Sequence, residues 1–133
     1  MALNFKMSEL IHSDTAAKYK INNMPDINSL DNMLDLITYC LQPIREKIGK
    51  PMIITSGYRC STLNAHPEIK GAKNSQHTKG QAADFVIVGM APDQIIEKIK
   101  SSGIEFDQLI NEYNRWVHVS FNKGKNRHQV LRY

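Results

Sequence analysis

The sequence predicts an α+β fold, because helical patterns come mostly first, strand patterns mostly later, and a hairpin lies near the end. That order favours an antiparallel sheet with helices packed on it over a doubly wound parallel sheet. A length of 133 residues suits a single domain over residues 1–133, and 41% apolar with 23% charged residues is ordinary for a chain that buries one core. From Ser8 to Tyr19 a capping serine precedes Leu10, Ile11, Ala16 and Ala17, which predicts an amphipathic helix broken by Asn22, Asn23 and Pro25. Leu30, Met33, Leu34, Ile37, Leu41, Ile44 and Ile48 recur at helical spacing, with Asn28 as the expected cap, Gly49 as the stop and Pro43 as a bend or restart. Pro51 to Tyr58 reads as a short strand, and residues 59 to 80 as a long polar connection of the kind that often builds a site. Gln81 to Val88 returns to strand character. Pro92 to Ser102 predicts a helix ended by Gly103; Phe106 to Tyr113 and Trp116 to Phe121 predict a hairpin around Asn114, and Gln129 to Tyr133 a last short strand.

Composition excludes several functions. No window approaches the apolar length of a membrane span, and Asn4, Lys6, Ser8 and Glu9 stand where a secretory leader needs its apolar stretch, so neither is expected. Cys40 and Cys60 form no C-x-x-C unit, which removes a zinc ribbon and a thioredoxin-like motif and makes two free thiols the expectation. The net charge of +4 favours an anionic partner or surface. Lys123, Lys125, Arg127 and Arg132 are accompanied by no acidic residue from 122 onward, but no nucleic-acid motif goes with them, so a solvated tail is expected and nucleic acid is not.

The chemistry concentrates in Ser75-Gln-His77-Thr-Lys-Gly80-Gln-Ala-Ala-Asp84-Phe85 and Trp116-Val-His118-Val-Ser120. His77 ends the polar connection, Asp84 lies on the strand it feeds, and His118 lies on a hairpin strand, so the three converge if those strands are neighbours. Two imidazoles and a carboxylate suit zinc, whose catalytic sites take three protein ligands and leave a position for water. From the residues alone, a His–Asp hydrogen bond, a turn-capping aspartate and an inward-facing strand histidine are the commoner readings of the same positions. His12, His66 and His128 have no second ligand at a useful spacing and read as surface residues.

Taken together, Ser56-Gly-Tyr58-Arg59, Asn64, Gly71, Ser75-x-His77-x-x-Gly80-x-Ala82-x-Asp84, Asp107-Gln-Leu-Ile-x-Glu112 and Trp116-Val-His118-Val-Ser120 closely resemble the M15 zinc peptidases, which include D-Ala-D-Ala carboxypeptidases and phage L-alanyl-D-glutamate endolysins. The likeness runs in order from about Met52 to Phe121 and is strongest to the short phage-type subgroup. It implies a Hedgehog/DD-peptidase-like fold with a central antiparallel sheet, zinc held by His77, Asp84 and His118, and hydrolysis of the stem peptides of bacterial peptidoglycan. It also implies Glu112 as general base, Arg59 as oxyanion or carboxylate binder, and Tyr58, Ser75 and Trp116 as substrate-side residues. One departure stands out: several relatives carry an acidic base three residues before the last histidine, where this chain has Arg115. Glu112, Asp107, or a zinc-braced wall-binding module without catalysis remain as readings of that departure. A monomer is expected, cytoplasmic until released to the wall and possibly phage- or prophage-encoded.

Overall fold

The computed structural model describes residues 3–133; the first two residues of the stretch read for a leader lie outside it. Helices α1 (Met7–Ile11), α2 (Asp14–Lys18), α3 (Ile27–Leu36) and α4 (Gln42–Ile48) lead into β1 (Ile53–Ser56). Helix α5 (Ser61–Ala65) and a 3-10 turn (Gln76–Lys79) interrupt the polar connection before β2 (Ala82–Val86), α6 (Pro92–Lys100), β3 (Gln108–Glu112), β4 (Trp116–Ser120) and β5 (Gln129–Arg132).

The helix expected from Ser8 to Tyr19 is two short helices. Their junction is at His12–Ser13, where Ser13 leaves helical geometry and its hydroxyl accepts from the Ala16 N–H at 3.1 Å, starting a new helix. The long apolar helix is capped by Asp26 rather than Asn28: its carboxylate accepts from the Ser29 N–H at 2.8 Å. Pro43 does mark a restart. The chain widens into one π-helical turn over Ile37–Leu41 just before it, which accommodates a residue with no N–H to donate and a ring that crowds the preceding turn. Leu34 is about half exposed, and the core-facing stripe runs instead through Met33, Leu36, Ile37, Cys40, Leu41 and Ile44. Gly49 ends α4 in the left-handed conformation with φ 74°, as the sequence predicts.

The five strands form one sheet in the order β1-β2-β4-β3-β5. The central strands β1-β2-β4-β3 pair antiparallel as expected, and β5 joins the edge at β3 in parallel, from Gln108 beside Gln129 to Asn111 beside Arg132. The excursion through residues 121–128 carries the chain back along β3 before it pairs. The β3–β4 hairpin turns at Tyr113 and Asn114, both at positive φ (55° and 57°), the twist a tight two-strand connection requires. Alternation then sorts the residues. Ala83, Phe85, Leu109, Val117 and Val119 point into the core with α3, α4 and α6, while Asp84, His118, Ile110, Glu112 and Trp116 share the other face. Cys40 and Cys60 are both free thiols. Among the described residues no helix is long and apolar enough to cross a membrane.

Candidate metal centre and cleft

The register of β2 and β4 sets Asp84 directly opposite His118, and their side chains meet, His118 Nδ1 to Asp84 Oδ1 at 2.8 Å. His77 arrives from the 3-10 turn, with Nε2 at 3.4 Å from the same oxygen and its ring 5.1 Å from that of His118, edge to face. One ligand atom from each of the three lies within 4.8 Å of the others. The loop residues are held as firmly as the strand residues. Ser75 caps the turn through its hydroxyl, which accepts from the His77 N–H at 3.2 Å, and Asn32 on α3 donates to the Lys79 carbonyl at 2.8 Å. Gly80 closes the turn at φ 73° where the Ser29 backbone leaves no room for a Cβ.

The ring of His77 is oriented by an acceptor that fixes its tautomer. Nδ1 lies 2.7 Å from the Gly57 carbonyl, which accepts only, so Nδ1 carries the proton and Nε2 presents a lone pair. Burial holds this ring below the usual histidine range, keeping it neutral against the pull of Asp84. A neutral nitrogen lone pair thus faces a carboxylate oxygen at 3.4 Å, an acceptor opposite an acceptor, which is what a cation between them resolves. Burial alone would raise the Asp84 carboxyl, yet the hydrogen bond from His118 opposes it and Asp84 stays ionised, well below the ordinary carboxylate range. The donor set of two imidazoles and one carboxylate fits zinc.

Gly57 is the hinge of this support. A Cβ there would overlap the Leu10 backbone carbonyl, which accepts from the Tyr58 N–H at 2.6 Å. Gly57→Ala is therefore expected to lower stability by about 1–3 kcal/mol, through displacement of α1, and to weaken metal binding by tilting His77; thermal melts and metal titration of the variant check both.

Beside Asp84 opens a cleft of about 300 Å³ lined by Arg59, Ser56, Tyr58 and, on the facing wall, His12, Ser13 and Asp14. Arg59 makes no ion pair among the described residues and its Nε is buried without a partner. Burial pulls its guanidinium below the usual arginine range while the charge of Asp84 supports it. Tyr58 is largely core, 7% exposed, with an edge on the cleft. Trp116, two residues before His118 on the same face, stacks edge-on with Tyr113 at 5.9 Å and leaves its buried indole N–H unpartnered. Glu112 pairs across the hairpin with Trp116, diagonal to His118. Burial, then the charge of Asp84, raises its carboxyl above the usual glutamate range, with His118 opposing. Arg115 is exposed in the turn, its N–H donating to the Glu112 carbonyl at 3.0 Å.

Asp107 has a different occupation. It is 1% exposed, and its carboxylate accepts from Arg127 through Nε at 2.9 Å, Nη2 at 2.8 Å and the backbone N–H at 2.8 Å, and from Gln76 at 2.8 Å. Arg127, read as part of a solvated tail, thereby ties that tail to the turn carrying His77. The Arg127 hydrogen bonds hold the Asp107 carboxyl below the usual range, so its stabilising effect is complete above the unfolded value of about 3.9 and disappears as pH falls through the depressed folded one. Asp107→Ala is expected to cost about 2 kcal/mol near neutrality, and the gap in melting temperature from the parent should close on acidification below about pH 4. His12, read as a surface residue, is exposed on the cleft wall and bonds Asp14 at 2.9 Å; His66 packs on Tyr19, and His128 pairs with Glu105. Sequence spacing could not reveal the facing wall, since His12 to Asp14 carry no motif and reach the cleft only because α1 docks on Tyr58.

A His–Asp–His cluster built from two sheet strands and a 3-10 turn, beside a cleft that holds an arginine, is compatible with a metallopeptidase. The family profile of Peptidase M15 matches residues 3–120, and the chain belongs to that family. Its fold is accordingly Hedgehog/DD-peptidase-like, in a version whose sheet is mixed. A search of curated proteins finds no match.

Proposed function

We propose that this M15 peptidase is zinc-dependent and hydrolyses peptide bonds in the stem peptides of bacterial peptidoglycan. The observation that carries the reading is the lone pair of His77 Nε2 turned toward the Asp84 carboxylate, with His118 on the same oxygen. His77, Asp84 and His118 would hold the metal. Zinc in such a centre supplies a Lewis acid for the scissile carbonyl and lowers the pKa of water to about 7.

The remaining work falls to this chain's side chains. Glu112, with no ion pair among the described residues and a carboxyl raised by burial, is suited to take a proton from the attacking water and return it to the leaving amine. Asp107 is saturated by Arg127 and Gln76 and lacks a free lone pair for that role, which favours Glu112 between the two candidates. Arg59 offers its guanidinium to the developing oxyanion or to a stem carboxylate. Trp116 and the edge of Tyr58 wall the substrate, while Ser75 acts on His77 by capping its turn. The positive net charge aids association with carboxylate-bearing stems. A cytoplasmic protein released to the wall, acting as a monomer, completes the proposal.

Incubation with purified peptidoglycan tests it: new amino groups should appear, vanish with a chelator and return with added zinc. Metal-replete folded protein that binds the wall without releasing amines would instead indicate the zinc-braced binding module.

A further inference from the structure

The strand end bearing Arg59 is gripped from two sides, and the grips alternate along the backbone. Toward the metal centre, the Gly57 carbonyl accepts from His77 Nδ1 at 2.7 Å and the Arg59 N–H donates to the His77 carbonyl at 3.0 Å. Toward the other side, one side chain holds both peptide groups flanking Arg59. Asn23 is 7% exposed; its Oδ1 accepts from the Cys60 N–H at 2.7 Å, and its Nδ2 donates to the Tyr58 carbonyl at 3.0 Å and to the Ile11 carbonyl at 2.8 Å. Two carbonyls can only accept, so the amide orientation is fixed by its partners. The third contact reaches the end of α1, immediately before the His12–Asp14 wall of the cleft.

Only an asparagine meets these demands at this reach: one acceptor and two donor hydrogens on a short arm. Aspartate lacks the donors, glutamine is a methylene too long, and serine has one donor for two carbonyls. Arg59 itself makes no ion pair to hold it, and its Nε is buried without a partner, so the direction of its guanidinium depends on the backbone beneath it. We propose that Asn23 is a positioning residue for the cleft: by clamping Tyr58 and Cys60 on either side of Arg59, and Ile11 at the base of the facing wall, it sets the guanidinium and that wall in register for a carboxylate-bearing peptide. The proposal rests on the reading of Arg59 as the group that receives the substrate's anionic oxygen.

The test is a double-mutant cycle on binding, so that turnover is not required. Zinc-loaded protein in a Glu112→Gln background is titrated calorimetrically with soluble muropeptides carrying an intact stem, comparing the parent, Asn23→Ala, Arg59→Ala and the double variant, each checked for melting temperature and zinc content. Asn23→Ala should weaken binding about tenfold, and most of that cost should disappear once Arg59 is alanine, a coupling that a loss of general stability does not produce. Asn23→Ser, a smaller lesion with one donor kept, should fall between parent and Asn23→Ala and serves if the alanine variant does not fold. Unchanged affinity in the Asn23 variants, or full additivity with Arg59→Ala, overturns the positioning role. Unchanged affinity in Arg59→Ala, or no stem binding by the parent, overturns the reading of Arg59 or of the cleft on which the proposal stands, and removes the proposal with it.

Discussion

Asp84→Ala is expected to abolish activity and to lower zinc affinity by at least about a hundredfold. Asp84 Oδ1 is the point on which both imidazoles converge, 2.8 Å from His118 Nδ1 and 3.4 Å from His77 Nε2. Its removal leaves two imidazoles with no negative charge between them, and a buried centre without that charge holds a dication poorly. The fold should survive, because Ala82 and Ala83 beside it are already small and the β2–β4 ladder is made by backbone. Circular dichroism with metal analysis after dialysis distinguishes this result from unfolding. An Asp84→Ala protein that retains one zinc per chain would remove the carboxylate from the ligand set.

Glu112→Gln should give the opposite pairing: metal content and melting temperature unchanged, kcat reduced by about a hundredfold to ten-thousandfold. Glutamine preserves the shape of the side chain across from Trp116 but cannot accept a proton at neutral pH. The raised carboxyl of Glu112 adds a pH signature. Activity in the zinc-loaded parent should rise with pH through an acid limb of kcat/KM, since the group must lose its proton to act, and the charge of the metal draws that limb below where the metal-free carboxyl titrates. A Glu112→Gln protein with full activity would assign proton transfer elsewhere.

How much of this could be read beforehand depends on the range of the interaction. Period and punctuation made α4, α6 and the hairpin legible, since Gly49, Gly103 and the Asn114 turn act on their immediate neighbours. The face of His118 was left open, since a histidine between valines is also readable as inward-facing, and only the pairing of β4 with β2 and β3 puts it beside Asp84 on the face away from the core. Direction was not legible: Gln129 to Tyr133 reads as a strand, and nothing in so short a segment says whether it will pair parallel or antiparallel. Pro43 was legible as a bend or restart but the π-helical turn over Ile37–Leu41 was not, and Leu34, counted on the apolar stripe, is about half exposed. Partnerships across the chain were invisible. Asp107 looked available as a base until Arg127, 20 residues later, occupied its carboxylate, and Asn23 looked like a helix break until its amide was seen to bridge Ile11, Tyr58 and Cys60.

The motif residues nevertheless explain one another once folded. Asn64 donates to the Ala72 carbonyl at 2.8 Å and occupies the space a Cβ on residue 71 would need, which accounts for glycine there. Ser75 starts the turn that presents His77, and Gly57 supplies the carbonyl that orients its ring.

The measurement that tests the central claim most directly is mass spectrometry of muropeptides released from purified peptidoglycan by the zinc-loaded protein, beside chelated and Glu112→Gln samples. Zinc-dependent cleavage at a single stem-peptide bond, absent from both controls, is the predicted result, and the fragment masses identify the bond. Intact stems after incubation of folded, metal-replete protein with several wall chemistries would contradict it.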